Sequence, residues 1–141
     1  MDSLDGPIGT IAKRVREVRG RRGWTAAQLG EELHKHGVPW DRFTVSSLES
    51  GKRKTVTVQE LIGLALALDV APIHLLVPLD DRPYLLAGSR IENANDVRDW
   101  FRGRRPLGGV DERTYLSEVS VRELWEQRVG AEPKNLAELA E

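Results

Sequence analysis

Arg42, Ser46, Ser47, Lys52, Arg53 and Lys54 fall within one short stretch of this chain, with Ser50-Gly51 separating the hydroxyls from the cationic run. A guanidinium and hydroxyls can hydrogen-bond the edges of a polar partner, and a terminal cluster of ammonium and guanidinium groups can neutralise a polyanion. This is the chemistry of binding. The sequence offers no nucleophile beside a matched base, no metal-ligand spacing and no glycine-rich phosphate loop. His34 and His36 are two apart and would point in different directions on a helix. The expectation is therefore no catalytic residue, no metal, no cofactor and no enzymatic activity.

Such a stretch needs a scaffold. Ile8, Ile11, Val15 and Val18 recur at helical spacing and predict a first helix from about Ile8 to Arg22, with Lys13, Arg14, Arg16, Arg19, Arg21 and Arg22 on its other faces. Thr25 with Gln28 forms a capping-box pattern that starts a second helix, running to about Lys35 with Leu29 and Leu33 inward. Pro39 interrupts it by disfavouring a helical Val38. Asp41 is a good N-cap for a third helix, Arg42 to about Ser50, in which Val45 and Leu48 define a narrow buried face. Arg42, Phe43, Ser46 and Ser47 then face outward, with Thr44 at the margin. Gly51 suits a left-handed turn after that helix. Thr57 or Thr55 caps a fourth helix with an apolar stripe of Val58, Leu61, Ile62, Ala65 and Leu68. Pro72 opens a short fifth helix, Ile73 to Leu76.

Beyond Pro78 the pattern weakens. Residues 79–92, with Asp80-Asp81, Pro83 and Gly88, read as a linker. Asn93 or Asn95 caps a helix holding Val97, Trp100 and Phe101, residues 102–114 read as loop, and Ser120 with Glu123 opens a helix containing Leu124, Trp125 and Val129. These aromatic residues have little apolar material around them, which favours dimerisation or partner docking over packing onto the N-terminal domain as an extension of its core.

The chain has 141 residues, 40% hydrophobic and 30% charged, which suits a folded protein of one domain plus an appendage. It has no cysteine, no apolar run near ~20 residues and no basic-then-apolar leader, so the expected location is the cytoplasm. Net charge is −1, but it is uneven. Residues 1–77 hold eleven Lys/Arg against nine Asp/Glu, and residues 78–141 hold ten against thirteen. A local basic face is enough for a groove binder, so the overall balance excludes only a general nucleic-acid coat.

Read together, Arg19, Trp24-Thr25, Leu29-Gly30-Glu31-Glu32-Leu33, Val45-Ser46-Ser47-Leu48-Glu49-Ser50-Gly51-Lys52 and the segment Leu61 to Leu68 resemble the Cro/C1-type helix-turn-helix (XRE, phage-repressor-like) family over residues 10–77. The segment from Glu49 to Pro78 is similar to regulators of actinobacteria and their phages. The resemblance implies an all-α protein: a five-helix, lambda-repressor-like DNA-binding domain over residues 1–78, the linker 79–92, and a small helical C-terminal region over 93–141. It also implies that the third helix enters the major groove. Arg42 would then read a base, since a guanidinium can bond guanine O6 and N7 together, with Phe43 against a thymine methyl and Ser46 and Ser47 at a base edge or phosphate. Thr25, Thr44, Lys52, Arg53 and Lys54 would hold phosphates. Arg19 and Glu49 occupy the positions of the family's internal ion pair, a structural role.

Two departures stand out: the turn from His34 to Trp40 is longer than the family's, and Ala26 stands where a phosphate-contacting Gln is common. The expected partner is double-stranded DNA, bound by a homodimer, which extends the expected location to the nucleoid. The expected function is sequence-specific transcriptional regulation, most simply repression. The alternative is an antitoxin or adaptor whose C-terminal region binds a partner protein while the front domain tethers it to DNA.

Overall fold

The computed structural model describes residues 4–123 and Glu126. Its first helix, α1 (Pro7–Arg21), opens on a proline whose missing amide hydrogen is harmless in a first helical turn. Ile11, Val15 and Val18 are buried along one face. The basic face is less solvated than its sequence implies. Arg14 is only 8% exposed, and its Nε donates to His74 O at 2.8 Å. A long cationic side chain can bury its stem while its head finds a carbonyl, which periodicity does not reveal.

Local capping chemistry sets the next three helices. For α2 (Ala26–His34), Thr25 Oγ1 accepts from the Gln28 amide at 3.1 Å while the Thr25 amide donates to Gln28 Oε1 at 2.7 Å. For α3 (Arg42–Glu49), Asp41 Oδ1 accepts from the Thr44 amide at 2.9 Å. For α4 (Val58–Leu68), Thr57 and Glu60 form a second reciprocal box. Pro72 then opens α5 (Pro72–Leu76). At 8–11 residues these middle helices are too short to be stable on propensity. They are held by a shared core in which Leu29, Leu33, Leu48, Leu64 and Leu68 are fully buried, each contributing roughly 1.5–3 kcal/mol.

The long turn between α2 and α3 joins this core. Val38 and Trp40 are both buried. Glycines on two helices make room for them: an added Cβ at Gly30 would lie 2.9 Å from Trp40 O, and one at Gly63 would run into Val38 Cγ2. His34 Nε2 also lies 3.1 Å from Trp40 O.

The apolar spacing of the fourth helix predicts burial of Val58 and Ile62, yet Val58 (74%), Ile62 (47%) and Leu66 (58%) are exposed, while Gly63, Leu64, Ala65, Ala67 and Leu68 face inward. Nearly every residue of α4 is apolar, so spacing alone cannot choose the buried face.

The chain is also mostly helical rather than all-α. Residues 83–92, assigned above to a linker, form together with Asn93 an antiparallel hairpin of β1 (Pro83–Ala87) and β2 (Arg90–Asn93), with an irregularity between Leu85 and Ala87. The Leu85 amide donates to Asp5 O at 3.0 Å, and Gly6 lies so close that a Cβ there would come within 2.9 Å of Leu85 O. Tyr84 is fully buried with Val77, Ala94 and Val97, its hydroxyl donating to Leu76 O at 2.9 Å. Burial pushes that phenol up to about 12. The hairpin thus belongs to the first of two compact units, Met1–Val97 and Arg98–Glu141, whose division falls within α6 (Ala94–Phe101).

In the second unit, Trp100 and Phe101 meet edge to face at 5.1 Å. Residues 112–114, assigned above to loop, begin the short helix α7 (Glu112–Leu116), capped by Asp111. Tyr115 Oη donates to Trp100 O at 2.6 Å. Ser120 caps the Glu123 amide at 3.2 Å as expected. The expected helical positions Leu124, Trp125 and Val129, and residues 136–141, lie outside the described residues. Among the described residues, no helix is long and apolar enough to cross a membrane.

Candidate nucleic-acid interface

The site is built outward from α3. Val45 and Leu48 are fully buried, which turns Arg42, Phe43 and Ser46 into solvent and leaves Thr44 and Ser47 half-buried. Phe43 is 67% exposed, so it does not pack against Trp40. It carries the Arg42 guanidinium over its ring instead, 4.7 Å from the centroid. The Thr44 hydroxyl donates to Asp41 Oδ1 at 3.1 Å, and backbone amide bonds together with that hydroxyl hold the Asp41 carboxyl below its usual range.

Beyond α3, Gly51 adopts a left-handed φ of 82°. The chain doubles back, and the Lys52 and Arg53 amides both donate to Ser47 O at 3.0 Å. This anchors the cationic run to α3. Lys52 and Lys54 are exposed, with Lys54 Nζ donating to Gly51 O at 2.8 Å. Thr25 is exposed at the N-terminus of α2.

Arg53, expected among the phosphate contacts, is turned inward. Its Nη2 donates to Glu60 Oε2 at 2.8 Å, and its guanidinium lies 4.5 Å from the Trp40 ring centroid. Glu60 Oε2 also accepts from Trp40 Nε1 at 2.8 Å. Burial raises the Glu60 carboxyl, but Arg53, the Thr57 amide and Trp40 outweigh it and bring it down to about 2. Trp40 and Glu60 are positioning residues absent from the sequence-based site. The Thr57-to-Glu60 capping pattern was a signal for one of them.

A second clamp fixes the far end of α3. Arg19 Nε and Nη2 donate to Glu49 Oε1 and Oε2 at 2.7 and 3.0 Å, and Arg19 Nη1 donates to Trp24 O at 2.7 Å. The pairing implied by the family resemblance is therefore present as a fork-to-fork ion pair. Arg14 and Arg21 pair with Glu17, Lys13 with Asp5, and Arg22 donates to Leu68 O. Among the described residues of the first unit up to Val77, Arg16, Arg42 and Lys52 are the cations with neither an acidic nor a carbonyl partner. Two of the three sit on or just past α3. Among the described residues, no group of His, Cys, Asp and Glu could hold a metal ion.

Comparison of the chain with known protein families, curated proteins and solved structures gives no match.

Proposed function

We propose that this chain is a sequence-specific DNA-binding transcriptional regulator of the helix-turn-helix, phage-repressor-like class, acting as a repressor. One observation carries the reading. A short helix with two fully buried residues, Val45 and Leu48, presents uncommitted Arg42, exposed Phe43 and Ser46, and is followed at once by exposed Lys52 and Lys54. Arg42 and Ser46 supply donors for base edges, and the lysines supply charge for phosphates, so one rigid element combines direct readout with backbone positioning. Repression by this means needs no chemistry, because occupying a promoter excludes polymerase.

A single half-site gives limited discrimination, so the protein acts as a homodimer with recognition helices about 34 Å apart on a pseudo-palindrome. Footprinting on genomic fragments, with light scattering of the protein–duplex complex, tests both parts. A protected inverted repeat and a dimer mass are expected. No protection at low salt would sink the reading.

The second compact unit, with Phe101 42% exposed beside Trp100, favours a second reading: an antitoxin or adaptor whose C-terminal part holds a partner. A stable heterologous complex, with the homodimer absent, would favour it.

A further inference from the structure

The stacking of Arg42 on Phe43 deepens the proposed reading, on which the following inference rests. We infer that these two side chains form one reading head, which recognises a guanine directly beside a pyrimidine that carries a C5 methyl group.

The guanidinium lies 4.7 Å from the Phe43 ring centroid, and among the described residues it has no hydrogen-bond or ion-pair partner. An aromatic face holds a cation through its π-electrons and leaves the N–H edge free. That edge fits O6 and N7 of one guanine, which accept two parallel bonds in the major groove. Phe43 can neither donate nor accept. Its exposed edge offers only apolar contact, and in the major groove the apolar feature of a base pair is the C5 methyl of thymine.

The stack spacing then decides the geometry. Successive bases on a strand are about 3.4 Å apart. Two groups held 4.7 Å apart therefore address neighbouring base pairs, not separated ones. The stack also restricts the rotamers of a long arginine before binding, so less side-chain freedom is lost on docking. This explains why a phenylalanine is 67% exposed at the tip of the helix: its ring is both the platform for Arg42 and a contact surface itself. The same methyl chemistry is present in 5-methylcytosine, so thymine–guanine and 5-methylcytosine–guanine steps are both substrates.

The full-length chain should be used to select binders from a randomised duplex pool. The enriched duplex is then titrated in four forms: unchanged, with the thymine at the step replaced by deoxyuracil, with cytosine there, and with 5-methylcytosine there. The wild-type chain should bind the methyl-bearing forms about three- to fivefold better than their unmethylated partners, the scale of burying one methyl group. Phe43→Ala should lose that preference, and Phe43→Leu should retain part of it. The loss in Arg42→Ala/Phe43→Ala should be smaller than the product of the single losses. Because Phe43 is exposed, thermal melts of these variants should match the wild type.

Failure to enrich any sequence would overturn the DNA-reading proposal and this inference with it. Enrichment of a site where uracil binds as well as thymine, or where no methyl-bearing pyrimidine adjoins guanine, would overturn the reading head alone.

Discussion

Arg19, in the last turn of α1, and Glu49, the final residue of α3, grip each other through two parallel hydrogen bonds of 2.7 and 3.0 Å. Glu49 is 8% exposed at its side chain and Arg19 20%, so water does little to weaken the contact. The pair sets the orientation of α3 against α1. Glu49→Ala should cost about 1.5–3 kcal/mol of stability in urea denaturation, because it leaves a largely buried guanidinium without its partner. Arg19→Lys should not restore full stability, since an ammonium cannot make the fork. A wild-type midpoint for Glu49→Ala would mean that the pair has no structural weight.

Arg53 and Lys52 are neighbours in sequence with opposite fates, and salt dependence separates them. Lys52→Ala should reduce the slope of log affinity against log salt by about one, as expected when one fewer phosphate is neutralised. Arg53→Ala should leave that slope unchanged and lower stability by about 1–3 kcal/mol, because it strips Glu60 of its cation. Equal slope changes in both would contradict the inward placement of Arg53.

Glu60 links acid sensitivity to the same corner. Its carboxyl falls from a usual 4.5 to about 2 in the folded state. A lowered folded value means stability that is complete above the unfolded value and lost as pH falls through the folded one. The free energy of unfolding should therefore decline between about pH 4.5 and pH 2. Glu60→Gln should flatten that part of the profile while lowering stability at neutral pH. An unaltered acid limb in this variant would remove Glu60 as its source.

Gly63 and Val38 meet where no side chain fits on the glycine. Gly63→Ala should destabilise by about 1–3 kcal/mol through overpacking, despite alanine's better helix propensity. Val38→Ala in the same chain should recover part of the loss, a coupling that a double-mutant cycle measures. Simple additivity would show that the two residues do not share the space.

Arg42→Ala should lower affinity for the selected duplex by about 1–3 kcal/mol and spare binding to random duplex. Competition titrations at fixed salt measure both. Equal loss on the two would assign Arg42 to the backbone instead of a base.

Helix starts were legible because their causes lie within three or four residues. Thr25 with Gln28, Asp41 with Thr44 and Ser120 with Glu123 all cap as their spacing implies. The outward placement of Arg42, Phe43 and Ser46 was legible too, since Val45 and Leu48 are the apolar residues of α3 apart from Phe43 at its tip, whereas Ser47, expected outward, is half-buried. The hairpin at 83–93 was not. Pro83, Gly88 and acidic neighbours resemble a linker, and the segment becomes sheet only because Tyr84 finds Val77, Ala94 and Val97 and because Leu85 bonds Asp5.

Sequence alone therefore determined the capped starts of α2, α3 and α4 and which side of α3 is buried, because short-range hydrogen bonds and a sparse apolar pattern leave one solution. Tertiary structure decided which cations stay uncommitted. Arg53 and Lys52 carry the same charge in the same loop, but Arg53 meets Glu60 and the Trp40 ring, supplied by other segments. It also chose the exposed stripe of α4, where nearly every residue is apolar and the neighbouring helices select the buried face.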